Sequence, residues 1–311
     1  MLLHDAATYA VHRALIARDD SSHYELYRYK PSLPAAIVFT ILFALVTSLH
    51  GYQMIRTRTW FYIPFFIGGL CEVIGYIFRA INASEAFEAW SLTPFILQSV
   101  LPLVAPALFA ASIYMELARI VEVVKGDALL FIRRQWLTRI FVTGDVISFF
   151  MQGGGGGLMG SKMINTINIG QKVIVGGLFV QITFFGIFVL AATIFHYRLL
   201  RNPTQRSHEV PWTKHMVAMY VVSVLIMIRS IFRVAEFLQG NDGYLMHHEF
   251  FIYIFDAALM LCVMLCMNWA HPSEIRAYLK GGQWATGFSV KEAPEEANYS
   301  SNEMEDSHRA V

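Results

Sequence analysis

Seven long apolar runs constrain this chain more than any other feature: about Pro34–Met54, Trp60–Ile81, Leu92–Val121, Trp136–Met159, Gln171–Tyr197, Lys214–Gln239 and Met246–Ala270. Each approaches or exceeds the roughly 20 residues that a helix needs to cross the hydrocarbon core of a bilayer. Helices and closed barrels alone satisfy their backbone hydrogen bonds there. The pattern therefore predicts an all-α integral membrane protein, a bundle of seven transmembrane helices over residues 31–271. Residues 1–30 form a polar N-terminal tail, with Tyr24, Tyr27 and Tyr29 suited to an interfacial belt. Residues 272–311 form a second tail, largely disordered, that ends in the acidic stretch KEAPEEANYSSNEMEDSHRAV. With no signal-peptide pattern at the start, the first helix is expected to act as an uncleaved insertion signal.

Orientation follows from the basic residues in the short loops. Arg56, Arg58, Arg119, Lys125, Arg133, Arg134, Arg198, Arg201, Arg206, Lys214, Arg276 and Lys280 fall at one set of connections, and only Lys162 and Lys172 at the other. This predicts an N-out, C-in topology, although Arg13, Arg18, Arg28 and Lys30 of the N-terminal tail oppose it. The sequon Asn82-Ala83-Ser84 then lies outside, very near the membrane. A net charge of +1 offers no basis for binding nucleic acid. Cys71, Cys262 and Cys266 all sit in apolar segments, where they read as core residues rather than a disulfide framework.

Within these spans lie charges that are costly in hydrocarbon unless paired or hydrated, and such residues are functional suspects. Arg229, Arg233 and Glu236 share one helix face at i, i+4 and i+7. Glu249, Tyr253, Asp256 and Met260 repeat that spacing on the next segment, across the short turn Gln239–Gly243. Glu72, Tyr76 and Arg79 do the same on the second helix, and Asp145 and Gln152 lie seven apart on the fourth. At 1.5 Å per residue all of these except the more central Asp145 fall between the membrane middle and its outer face. The candidate site is therefore Glu72, Arg79, Asp145, Gln152, Arg229, Arg233, Glu236, Glu249 and Asp256, with His248 at the outer mouth beside His247. Two uses fit these residues. They can lock the bundle as structural ion pairs, for instance Glu72 with Arg229. Alternatively they line a polar cavity open to the outer leaflet, net negative and suited to a cationic amine head group.

Helix 3 should bend at Pro102 and Pro106 and leave carbonyls free. The run Gly153–Gly157 makes a poor helix and suits either close helix packing or an unwound end lining a cavity. His50, His196, His215 and His271 lie near inner helix ends, so zinc there is geometrically conceivable, but no HExxH or comparable spacing exists. There is no GxSxG elbow, Walker A loop or dinucleotide fingerprint either. No catalytic residue, metal or cofactor is expected.

A set of motifs spread over six helices resembles a known family. They are Glu72-Val-Ile-Gly-Tyr-Ile-Phe-Arg79; Ala105-Pro-Ala-Leu108 with Ala110-Ala111 and Tyr114; Gly144-Asp145 with Ser148, Gln152 and the glycines; Gly177-Leu178 with Gln181; Arg229-Ser-Ile-Phe-Arg233 with Glu236; and His248-Glu249 with Tyr253, Phe255-Asp256 and Met260. From about Tyr24 to Pro272 the chain resembles the fungal RTA-like family, also called lipid-translocating exporters. The resemblance implies a plasma-membrane protein that moves sphingoid long-chain bases or toxic amphiphiles, its partners being membrane lipids or amphiphilic small molecules. It assigns no roles to single residues. One alternative is a seven-helix lipid or stress sensor acting through partners. Against it, there is no outer-loop cysteine pair and no NPxxY-like end on helix 7, and helix 3 ends in Met115-Glu-Leu-Ala-Arg119 rather than an acidic-Arg-Tyr triplet. Another is a zinc-dependent intramembrane lipid hydrolase using the inner histidines.

Overall fold

The computed structural model describes residues 31–85, 91–130, 132–159, 164–239, 244–279, 284–286 and 289–291. Helices α1 (Leu33–Thr57), α2 (Ile63–Ser84, led in by the 3-10 turn Trp60–Tyr62), α3 (Leu92–Val123), α4 (Arg134–Met159), α5 (Ile164–Arg201) and α6 (Trp212–Gln239) follow one another. Helix α7 is composite: an α-turn Glu249–Ile252, a π-helical turn Tyr253–Ala258 and the α-helix Leu259–Trp269. All except α4 are long and apolar enough to cross a membrane by length and composition. Helix α4 matches them in length, but its Arg134, Arg139, Asp145, Gln152 and five glycines dilute its hydropathy. The tail and turn expectations at 1–30, 240–243 and 292–311 lie outside the described residues.

The surface is that of a membrane protein. Leu45, Phe150, Leu190 and Leu265 are at least half exposed, and a soluble domain would not present such a continuous apolar girdle to water. Inward, Phe43, Phe65, Phe109, Tyr114, Phe141, Phe188 and Phe195 form a buried aromatic core. Antiparallel neighbours bring the helix ends into two groups. At one end Arg276 Nη1 donates to the Thr57 carbonyl, Thr204 Oγ1 to the Val124 carbonyl and Lys214 to Glu274. This is the end rich in Arg and Lys. At the other end the Ser32 N–H and Arg79 meet Glu249, while Gln171 donates to the Phe237 carbonyl.

Local chemistry explains three features. Proline opens two of the helices, with Pro34 and Pro64 in the first turns of α1 and α2, where the missing N–H costs nothing. The glycine run stays helical to Met159, so the unwound end expected as one option does not form. Close packing holds at Gly155 alone: a Cβ there would sit 2.6 Å from the Gly170 carbonyl oxygen, whereas Gly153, Gly154, Gly156 and Gly157 face open space. Beyond Pro272 the chain does not turn at once into a tail. A short helix, α8 (Ser273–Leu279), buries Ile275 and Ala277, and strands β1 (Trp284–Thr286) and β2 (Ser289–Lys291) pair antiparallel.

Candidate functional site

The charged faces of α2, α6 and α7 converge at the end opposite the basic one. Arg229 of α6 donates through Nε to Asp256 Oδ1, and through Nη2 to the Pro102 carbonyl at 2.8 Å. That carbonyl is available because its i+4 partner is Pro106, which has no N–H to give it. The proline pair in α3 thus supplies a dipole to the site, as the freed-carbonyl expectation required. Both side chains are buried, Arg229 at 3% and Asp256 at 6% exposure.

A second pair sits nearer that end of the bundle. Arg79 Nη2 donates to Glu249 Oε1 at 2.9 Å, and its Nε to the Tyr253 hydroxyl at 3.1 Å. Gln98 accepts from Nη1 at 3.4 Å, and the guanidinium lies 5.2 Å from the Tyr253 ring centroid. Both Glu249 oxygens accept from the Ser32 N–H, the N-cap residue of α1, where a carboxylate also complements the positive helix end. Residues from α1, α2, α3 and α7 therefore meet on one guanidinium–carboxylate contact. Arg233 and Glu236 pair within α6 at 2.8 Å, and Arg233 lies in the field of Asp256 and Tyr76.

Three arginines thus take three carboxylates, and the fourth acid is left over. Glu72 is 1% exposed, and its Oε1 has no hydrogen-bond partner among the described residues. It lies in the fields of both Asp256 and Arg229. The expected Glu72–Arg229 pair does not form, because Asp256 occupies that guanidinium. Glu72, Arg229, Glu236 and Asp256 are all buried.

Not every predicted residue joins this cluster. Asp145 lies apart, accepting from the Tyr114 hydroxyl at 3.0 Å, with Phe141, Phe185 and Phe188 packed around that tyrosine. Gln152 bridges α4 to α5, donating to Ser148 Oγ at 2.6 Å and to Gln181 at 3.1 Å, while Ser148 donates to the Gly177 carbonyl. His248 packs on Tyr244 at 4.2 Å and contacts that residue's carbonyl, not the acids. Conversely, Tyr253, Gln98, Ser32 and the Pro102 carbonyl belong to the site without having been among its predicted members. Tyr253 was visible in the i, i+4 register with Glu249. Nothing local marks Ser32, which meets Glu249 across 217 residues. The π turn that carries both Tyr253 and Asp256 also has no signature in the sequence; such turns concentrate at functional sites. Among the described residues no group of three His, Cys, Asp or Glu is placed to hold a metal ion. Asn82 of the sequon is fully buried in the last turn of α2.

Comparison with known proteins adds a lineage to this geometry. A family model described as RTA1 like protein matches residues 65–277. Protein RTM1 of Saccharomyces cerevisiae is 36% identical, covering 77% of this chain and 89% of its own. Protoporphyrin uptake protein 1 of the same yeast is 38% identical, covering 79% and 92%. Its sphingoid long-chain base transporter RSB1 is 26% identical over 78% and 72%. No solved structure matches.

Proposed function

The chain belongs to the RTA1-like family of multi-pass membrane proteins, and we propose that it transports, or facilitates transport of, amphiphiles with a cationic head group, such as sphingoid long-chain bases. The coarse role, membrane transport or handling of lipid-like molecules, has the support of relatives named as a sphingoid base transporter and a protoporphyrin uptake protein. The finer reading rests on one observation: among the described residues the three arginines of the site pair with Glu249, Asp256 and Glu236, and Glu72 is left with an unpartnered oxygen.

A long-chain amine completes that arrangement. Its ammonium would take the place of the missing partner at Glu72, next to Asp256, while its hydrocarbon tail stays in lipid between helices. Arg229 is then displaced toward the Pro102 carbonyl and balances the acids. Arg79, Glu249 and Tyr253 tie α1, α2 and α7 together above Glu72, so they stand as the closure through which the head group passes. We place the basic end of the bundle in the cytoplasm, the N-terminus outside, and the protein in the plasma membrane.

The test is movement of a fluorescent sphingoid base, and of its permanently charged trimethylammonium derivative, across liposomes containing the purified protein. Protein-dependent movement of both is expected, with loss in Glu72→Gln and Asp256→Ala. Wild-type protein that is folded yet moves neither probe overturns the transporter reading.

A further inference from the structure

A second buried polar centre lies at the basic end, where α1, α2, α3, α6, α7 and α8 converge, and it takes no part in the site above. His215 of α6 is fully buried between two carboxylates: Nδ1 is 3.1 Å from Glu116 Oε1 and Nε2 is 3.2 Å from Glu274 Oε2. A carboxylate and a bare imidazole nitrogen both only accept. Each contact therefore needs a hydrogen, and the triad holds two. Lys214 closes the charge balance by donating to Glu274 Oε1 at 2.8 Å. Glu274 and Lys214 are the partly exposed members, so the chain of groups starts at the aqueous surface and runs inward through His215 to Glu116.

Beyond His215 four buried atoms have no partner among the described residues: Glu116 Oε2, Tyr62 Oη, His50 Nδ1 and His271 Nε2. Their protons can be assigned. The Met264 carbonyl accepts from His50 Nε2 at 2.9 Å, so His50 Nδ1 is the bare acceptor. The Ser273 N–H donates to His271 Nδ1, so His271 Nε2 carries the hydrogen. What remains is two donors, Tyr62 and His271, and two acceptors, His50 and Glu116. The three rings are neighbours, with centroids 5.5 Å apart for Tyr62 and His271, 5.9 Å for His50 and Tyr62, and 6.1 Å for His50 and His271. Tyr62 lies in the field of Glu116. Two donors and two acceptors on these buried groups match the hydrogen-bonding capacity of a single water molecule, and buried waters hold two to four such bonds. Cys266 is the remaining titratable neighbour in the field of Glu116.

We propose that this is a proton-binding centre, in which one water joins His50, Tyr62, Glu116 and His271 to the Glu116–His215–Glu274 chain, and that a proton taken up here is exchanged for the cationic amphiphile at the opposite end. The coupling half of this inference rests on the transport reading above. Chains of Asp, Glu and His are the usual carriers of protons within membrane proteins. The exchange is electroneutral: one proton enters the protein from one side as one cationic head group leaves to the other. Tyr62, in the turn that leads into α2, precedes Glu72 by ten residues, about 15 Å along a helix. Between them Phe65 packs on Phe109 at 4.6 Å. An aromatic layer separates the two centres, so the coupling is conformational and not a continuous wire.

The experiment follows the trimethylammonium probe in proteoliposomes with the membrane potential clamped. The fixed charge of the probe removes passive trapping of a weak base. One-for-one exchange supports up to about a tenfold concentration ratio for each pH unit imposed. The wild type is expected to build such a ratio, and His215→Gln and Glu116→Gln to equilibrate the probe with a ratio near one. Tyr62→Phe removes only a hydroxyl and keeps the ring stacked on Phe65 at 4.5 Å, so it decides the matter if the first two variants fold poorly. Its ratio should fall several-fold with equilibration retained. A wild-type ratio unchanged by the gradient overturns coupling while leaving transport intact. Wild-type ratios retained in all three variants overturn this centre as the proton site. No movement under any condition overturns both readings.

Discussion

The surplus carboxylate makes a prediction whose sign depends on its neighbour. In the wild type Asp256 satisfies Arg229, and Glu72 is a buried acid with an unpartnered oxygen. Glu72→Gln replaces a buried acid that has no hydrogen-bond partner at Oε1 among the described residues and keeps the shape, so it should leave stability unchanged or raise it. Asp256→Asn instead strips the partner from a buried guanidinium, a change that typically costs about 3–5 kcal/mol. Glu72 already lies in the field of Arg229 and is expected to take over as its partner, so the observed cost should fall below that range. In the double variant no carboxylate remains for Arg229 beyond its Pro102 carbonyl contact, and the full cost returns. Glu72→Gln should therefore be neutral or stabilising alone but destabilising by about 2–4 kcal/mol when Asp256 is already Asn, a coupling expected only of residues sharing a partner. Thermal unfolding of the four proteins in detergent, followed by intrinsic fluorescence, reads this directly. Additive effects would show that Glu72 does not share Arg229 with Asp256, and a large loss from Glu72→Gln alone would show that it is already a structural ligand; either result would remove the basis for the binding reading. The same variant should abolish probe movement while the protein melts no earlier, the separation of function from stability that a binding residue displays.

Three further outcomes follow from particular contacts. Arg79→Lys keeps the charge but not the fork that reaches Glu249, Tyr253 and Gln98; it should lose about 1.5–3 kcal/mol for each charged hydrogen bond given up, seen as an earlier melting transition. Gly155→Ala must collide with the Gly170 carbonyl, whereas Gly154→Ala enters open space, so the first should lower the melting temperature and the second should stabilise by about 0.5–1 kcal/mol. Asn82 is fully buried inside α2, so treatment of protein from a eukaryotic host with an N-glycosidase should leave the gel mobility unaltered in the wild type and in Asn82→Gln alike.

Much of the architecture was legible because the bilayer restricts what an apolar run can become. Seven segments long enough to span could only be helices, and most of their observed bounds fall within several residues of the sequence reading. The charged faces of α6 and α7 were also legible, since i, i+4 and i+7 spacing puts residues on one side of a helix whatever surrounds it. Pairing was not legible. Sequence offered Glu72 as a partner for Arg229, and the pairing with Asp256 instead depends on how α2 and α7 pack on α6. Asp145 looked like a further member of the acid cluster because depth was read from position along the helix; its direction around the axis sends it to Tyr114 instead. His215 read only as one of several histidines near helix ends, and Glu116 only as part of the end of helix 3.

The sequence by itself determined what the solvent demands: how many helices, where they start, and which residues are too polar to face lipid. Those properties are local, set by one segment against the bilayer. The tertiary structure alone decided which charges cancel and which do not, because pairing depends on distances between atoms far apart along the chain. Ser32 reaches Glu249 across 217 residues, and Arg229 reaches Pro102 across 127. The oxygen of Glu72 that remains unpaired is a property of that whole arrangement.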